Sequence, residues 1–440
     1  MNKLPDLAGI VGAENVVTGP EGLAGYFRGK TEPAGPVAVA PGCTGEVQEI
    51  VKACSASGTP LFTTYDTWFP AAAVGLPGVI LDFRRLNRIE RIDSRNLCAH
   101  VQRGVTFEQL EEALRPEGLT LLHPAAGTTR SVVCHAVSRG MVLSAARYPE
   151  VQVSNLQVVL HHGGIHRTGS HANSEEIADW KEDGGPNLSK WYLGADDIFG
   201  IVVRGSIWIY PRFEGRRCEA FGFQEQAAAM ALLRELPRLE LPQECLVLNR
   251  PSAARRFGVP EAGLPPWVLV AGVEAFAALA NYQAERIHGF AAAAGGTPLG
   301  TERLPGLPAH LGRPWYAEPD RETSFHALFH RVPEFEAVLG RIASAAGLSD
   351  ARIGRTYVAH GIGRSVWCRY DLDGQTDGGA FLEPLESSLA AAGAFFDRPQ
   401  GRLAEQVYGA IPATVRHIRK IKDMMDPGRI FNPGKPAREV

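Results

Sequence analysis

A chain of 440 residues exceeds what one simple core accommodates and implies two or three, while 45% apolar and 21% charged residues match an ordinary globular composition and exclude a fibrous or disordered chain. A formal net charge of −3 sets up no long-range field for nucleic acid or an anionic membrane, and no basic run with interleaved aromatics occurs. Residues 1–6 lack the apolar stretch of a signal peptide, and no later run is long and apolar enough for a bilayer, so the expectation is a cytoplasmic protein without a transmembrane segment.

Residues 37–40 read as a strand. Residues 44–57 then place Val47, Ile50, Val51 and Cys54 at three- and four-residue spacing, the apolar stripe of an amphipathic helix, with Thr44 as its N-cap and Gly58-Thr59-Pro60 as its stop. Leu61-Phe62 opens a short strand, and residues 78–82 form a compact apolar run suited to a buried one. Residues 89–93 and 97–102 read as a meander, followed by Thr106 as the cap of a helix carrying Phe107, Leu110 and Leu114. Residues 156–160 and 165–169, joined by His161-His162-Gly163-Gly164, form a hairpin, and residues 200–210 are again strand-rich.

After Pro211 the pattern changes. Residues 217–223, 244–248 and 267–273 read as strands, with helices at 224–236 and 274–294, an order like a ferredoxin-like module. The boundary falls near residue 215 and the second domain runs to about residue 400, with a Pro- and Gly-rich connection around residues 297–320. Residues 414–425 form a basic amphipathic helix with Val415, Ile418, Ile421 and Met425 on one face, stopped by Asp426-Pro427-Gly428 and followed by Ile430-Phe431-Asn432-Pro433-Gly434-Lys435.

A helix stopped by Pro and Gly explains the first turn of this ending but not the second Asn-Pro-Gly turn that follows so closely. The whole ending, residues 420–435, resembles the carboxy-terminal signature of the FAD-linked oxidases, the vanillyl-alcohol oxidase and para-cresol methylhydroxylase superfamily. Residues 97–123, with Val101-Gln102-Arg103-Gly104-Val105-Thr106 and a later His123-Pro124, are similar to the segment between that family's two flavin loops. Arg167-Thr168-Gly169-Ser170 and residues 193–202 resemble its hairpin and the glycine-rich stretch after it, and the three matches arrive in the family's order. The resemblance implies an α+β fold: a para-cresol methylhydroxylase-type FAD-binding domain of two α/β subdomains over residues 1–215, a ferredoxin-like cap or substrate domain over 216–400, and a segment at 401–440 returning to the first domain.

It also implies FAD as cofactor. In the family the diphosphate lies against a glycine-rich loop, because only glycine lets backbone N–H groups approach phosphate oxygens closely. Here that place reads Pro60-Leu61-Phe62-Thr63-Thr64-Tyr65-Asp66-Thr67-Trp68, with aromatic and acidic side chains where glycines stand. The second loop reads Ser131-Val132-Val133-Cys134-His135, again with side chains replacing glycines. The residues that the resemblance assigns to the cofactor are Thr64, Tyr65, Asp66, Thr67, Gly127, Thr128, Ser131, Gly200, Ile201, Val202 and Asn432. Two expectations stand side by side. Either flavin binds in an altered pose, and the reaction implied is oxidation of an alcohol or a 2-hydroxy acid such as glycolate or lactate, or the chain is a flavin-free partner of an intact flavoprotein or iron–sulfur subunit.

In the hydroxy-acid branch, a histidine-rich segment near Tyr357-Val358-Ala359-His360-Gly361-Ile362-Gly363-Arg364 helps hold the substrate carboxylate, which makes His360 the candidate base and Arg364 the candidate carboxylate clamp. Read without the family, the same residues are a strand and turn with a hydrogen-bonded histidine and a solvated arginine. His161, His162, His166 and His171 have the spacing of a hairpin turn, not of metal ligands. The seven cysteines are scattered without a Cys-x-x-Cys pair, and no Walker loop, Gly-x-Ser-x-Gly elbow or Rossmann fingerprint is present.

Overall fold

The computed structural model describes residues 4–27, 36–64, 77–125, 131–148, 150–174, 185–307, 322–373, 379–397, 399 and 401–434. Three sheets organise these residues, apart from a short two-stranded pairing of Leu119–Thr120 with Tyr210–Pro211. In the first, Val37–Val39, Val79–Leu81 and Leu61–Thr63 run parallel, and Val16–Val17 adds an antiparallel edge. All nine positions of the parallel strands are buried, which is why they read as unbroken apolar runs.

Helix Thr44–Ser57 covers this sheet with Val47, Ile50, Val51 and Cys54. Its cap position is Cys43 and not Thr44, which is the first helical residue. No side chain caps the helix at Cys43; the Glu46 carboxylate in the first turn instead reaches back to accept the N–H of Gly42, two residues before the helix, at 2.7 Å. Gly58 ends the helix in the left-handed conformation, φ 63°, and donates to the Cys54 and Ser55 carbonyls.

The second sheet is antiparallel, in the order Ile89–Asp93, Cys98–Gln102, Ile201–Trp208, Val153–Val159, Ile165–Arg167. Helix Phe107–Leu114 starts on the expected capping box, Thr106 with Gln109, and buries Phe107, Leu110 and Leu114. Val132 and Val133 of helix Val132–Val137 join the same core. Ile418, Ile421 and Met425 of helix Pro412–Met425 pack against it, as their periodicity predicts.

The third sheet has seven antiparallel strands in the order Thr297–Pro298, Gly215–Phe223, Trp267–Ala275, Glu244–Asn249, Ile353–His360, Ser365–Leu372, Glu322–Ala327. One face carries residues of helices Gln226–Arg238, Ala277–Ala293, Val332–Ala345 and Gly379–Ala391. The other face packs helix Arg250–Phe257 and, from the first half of the chain, Ala125, Leu143 and Ala145. Among the described residues no helix is long and apolar enough to cross a membrane.

The tail closes the first sheet. Leu61 N–H donates to the Ile430 carbonyl and Asn432 N–H to the Leu61 carbonyl, both at 2.7 Å, so residues 430–432 lie as a short parallel partner beside the Leu61–Thr63 strand.

Candidate cofactor cleft

Four segments converge where the first two sheets meet: the end of strand Leu61–Thr63, the turn after Cys98–Gln102, the approach to Ile201–Trp208, and the C-terminal Asn432 turn. Arg103 is their hub. Its guanidinium meets Asp197 through two hydrogen bonds, Nη1 to Oδ1 at 2.8 Å and Nη2 to Oδ2 at 2.6 Å, and Nη1 also donates to the Val202 carbonyl at 2.8 Å. The side chains are 3% and 2% exposed, so this is a fully desolvated ion pair. Burial works to lower the Arg103 pKa, but the charge and hydrogen bonds of Asp197 more than offset it and the net shift is upward. The Phe83 ring lies under the guanidinium, 4.3 Å from its carbon.

Asp197 also accepts the Thr63 hydroxyl at 2.9 Å and the Val202 N–H at 3.2 Å. Asn432 ties in the tail: it accepts the Thr63 N–H at 3.0 Å and donates to the Thr63 hydroxyl oxygen at 3.1 Å and to the Asp196 carbonyl at 2.7 Å. Lys422, one helix turn before Asp426, donates to the Asp426 carboxylate and to the Ile198 and Phe431 carbonyls. The signature that opens the resemblance at the sequence level is thus a clamp holding the tail onto this junction.

On the other side, the Ser131 hydroxyl donates to the Arg103 carbonyl and accepts the Cys134 N–H at 3.0 Å, which caps helix Val132–Val137. Val132 and Val133 are both 0% exposed. The Cys134 thiol rests on the Thr64 carbonyl at 3.9 Å, so the two loops expected to flank a diphosphate touch through a side chain. Gly200 does need to be glycine: at φ 155°, an added Cβ would lie 2.7 Å from Val158 Cγ1.

Of the residues assigned to the cofactor from sequence, Thr64, Ser131, Gly200, Ile201, Val202 and Asn432 gather at this junction. Ile201 and Val202 are paired with Val159 and Val158 of the neighbouring strand. Tyr65, Asp66, Thr67, Gly127 and Thr128, like Trp68, lie outside the described residues. Arg103 and Asp197 were missed. Neither stands in an apolar run, since Gln102 and Gly104 flank Arg103 and Asp196 precedes Asp197, so no local signal marked either as buried.

His360 and Arg364 lie elsewhere, on the hairpin of the seven-stranded sheet. Gly361 N–H donates to the Ala145 carbonyl at 3.0 Å and Ile362 N–H to the Ala146 carbonyl at 2.9 Å, docking the hairpin tip on the first half of the chain. The His360 ring is 4.9 Å from the His326 ring and its Nδ1 is 3.2 Å from the Ser365 hydroxyl. Burial first, then the neighbouring His326, push its pKa down to about 4, leaving a neutral imidazole at pH 7. Arg364 is exposed, and no hydrogen bond joins it to His360 among the described residues.

Comparison with known proteins puts this geometry in context. Residues 36–169 match the FAD binding domain family. Over 99% of its length the chain superposes on 99% of 4-ethylphenol oxidase from Gulosibacter chungangensis, in complex with isoeugenol, with a TM-score of 0.83 at 19% identity. Residues 36–169 thus match an FAD binding domain, and the chain as a whole has the fold of these flavoproteins. Its α+β architecture is the para-cresol methylhydroxylase type. It is 27% identical over 177 residues to the flavoprotein subunit of 4-cresol dehydrogenase (hydroxylating) from Pseudomonas putida, a match covering 38% of this chain and 33% of that one. It is 25% identical over 236 residues to a glycolate oxidase subunit of Bacillus subtilis, covering 52% and 48%. The matched stretch spans between a third and about half of these curated relatives.

Proposed function

We propose that this chain is a flavin-free member of the FAD-linked oxidoreductase family and acts as the partner subunit of an intact flavoprotein or iron–sulfur subunit, with its own division at about residues 215 and 400 into FAD-type domain, cap and returning tail. One observation carries this reading. The Cys134 thiol lies on the Thr64 carbonyl and Val132 and Val133 are buried in the adjoining core, which supports the reading that side chains take the place of the bare backbone a diphosphate needs. The polar groups nearby are already committed: Ser131 to its helix cap and Arg103, Asn432 to Thr63 and Asp196, Asp197 to Arg103.

The test is direct. The purified full chain is titrated with FAD while flavin fluorescence is followed. The expected result is a colourless protein with no saturable quenching that co-purifies with a flavin- or iron–sulfur-containing subunit on co-expression. A yellow protein with stoichiometric FAD overturns it. That outcome would favour oxidation of an alcohol or 2-hydroxy acid such as glycolate or lactate, for which the neutral His360 is suited to accept a proton and Arg364 to hold a carboxylate.

A further inference from the structure

A cavity apart from the Arg103–Asp197 junction is lined by the end of helix Phe107–Leu114, the short Leu119–Thr120 and Tyr210–Pro211 pairing, and the seven-stranded sheet, and it shares no residue with that junction. Its volume is about 340 Å³, the scale of a small-molecule pocket. Leu121 and Leu143, both buried, form its apolar floor. Tyr148 and Tyr210 form a wall, with ring centroids 5.4 Å apart and planes tilted by 44°. Burial is the first cause of a Tyr210 pKa pushed up to about 12, so both its ring and its hydroxyl stay neutral.

The polar lining is asymmetric. Glu111 is held by Arg212 and by the Thr120 hydroxyl at 2.9 Å, with His123 Nε2 3.7 Å away, and Glu274 lies 3.7 Å from Arg216. Glu244 is the third carboxylate, 1% exposed. Against these three carboxylates stand four guanidiniums, because Arg115 and Arg147 also line the cavity and neither makes an ion pair among the described residues. Arg147 lies over the Tyr148 ring, 5.5 Å from its centroid, which holds it beside the aromatic wall.

We infer that this cavity binds a small aromatic carboxylate, its ring against Tyr148 and Tyr210 and above the leucine floor, its carboxylate between Arg115 and Arg147. A guanidinium pairs a carboxylate through two parallel hydrogen bonds, and the apolar floor supplies the burial that a bare inorganic anion does not gain. The site joins the two halves of the chain, since Glu244 and Glu274 belong to the seven-stranded sheet and Tyr148, Leu121 and Leu143 to the first half. A ligand seated there therefore stabilises the docking of one half on the other by binding the native state alone.

Benzoate is the probe, in isothermal titration calorimetry on the full chain, with inorganic phosphate and cyclohexanecarboxylate as comparisons. The expectation is one saturable benzoate site, weakened about tenfold or more by Arg147→Gln and by Arg115→Gln, with cyclohexanecarboxylate weaker and phosphate not competing. Arg115 and Arg147 are exposed, so both variants should fold, and Tyr148→Leu, which keeps an apolar side chain, gives a second reading of the wall. No saturable benzoate binding by the wild type, equal affinity in both arginine variants, or competition by phosphate at similar concentration would each overturn the inference. Flavin content plays no part in this readout, so its outcome is separable from that of the FAD titration.

Discussion

Replacing Arg103 by Met tests the junction most directly. The substitution keeps the bulk under which Phe83 lies but removes the bidentate pair to Asp197 and the bond to the Val202 carbonyl. Asp197 keeps the Thr63 hydroxyl and Val202 N–H, so it is not stripped bare, yet its charge is left without a counterion at 2% exposure. Breaking a buried pair from one side costs about 3–5 kcal/mol, much of it the penalty on the orphaned partner. Against a total stability of roughly 5–15 kcal/mol this is a large fraction. Removing both partners with Arg103→Met and Asp197→Asn should cost less than the two single changes added together, with a coupling of about 2–3 kcal/mol. Urea unfolding followed by tryptophan fluorescence gives the three midpoints. Because water and ions do not reach the pair, the single-variant loss should persist in about 1 M salt. A loss below about 1 kcal/mol for Arg103→Met, or additive effects in the double variant, would refute a desolvated, mutually dependent pair.

Three further outcomes are expected. Asn432→Ala removes the acceptor of the Thr63 N–H and two donated bonds at buried positions, and should cost about 2–4 kcal/mol and expose the tail helix to limited proteolysis well before the rest of the chain. Gly104→Ala would place a Cβ 2.0 Å from the Phe83 carbonyl oxygen, so it should lower the melting temperature sharply, whereas Thr106→Ala two residues on loses a capping box and should cost only about 1 kcal/mol. For pH, His360 and His100 have folded pKa values of about 4, below the unfolded 6.5. The unfolded chain therefore binds more protons between these values, so stability present at pH 7 is lost as pH falls from about 6.5 toward 4, and His360→Gln should flatten that slope in melting experiments; an unchanged slope would place His360 in solvent.

Much of the fold was legible because its signals are local. The spacing of Val415, Ile418, Ile421 and Met425 specifies a helical face within one segment, and Thr106 with Gln109 specifies a helix start within four residues. Thr44 was read one position late for a local reason too, since the cap residue is Cys43, whose side chain makes no cap bond, and Thr44 is the nearest residue with a capping side chain. The helix Arg250–Phe257 was hidden: Asn249 is both the last residue of a strand and the cap of the helix, so no loop signal separates them. The junction was the least legible part. Arg103 and Asp197 stand 94 positions apart, and only the folded chain shows that each answers the other. His360 and Arg364 illustrate the converse. They are close in sequence, and Gly361, Ile362 and Gly363 between them all turn left-handed, with φ of 56°, 60° and 64°, a turn geometry that their spacing along the chain alone does not specify.

The pairing of residues 430–432 with Leu61 sets a timetable for synthesis. Thr63 and Asn432 are separated by 369 positions, so the first sheet emerges from the ribosome with one side of a strand open and stays open until residues 430–432 have been made. During that interval the Leu61 amide and carbonyl have only water as partners, and the exposed edge is a place where a chaperone or another chain can add a strand of its own. A tag or truncation that disturbs the tail therefore acts on the oldest part of the molecule, and its effect should appear as poor yield of soluble chain before it appears in any property of the finished protein.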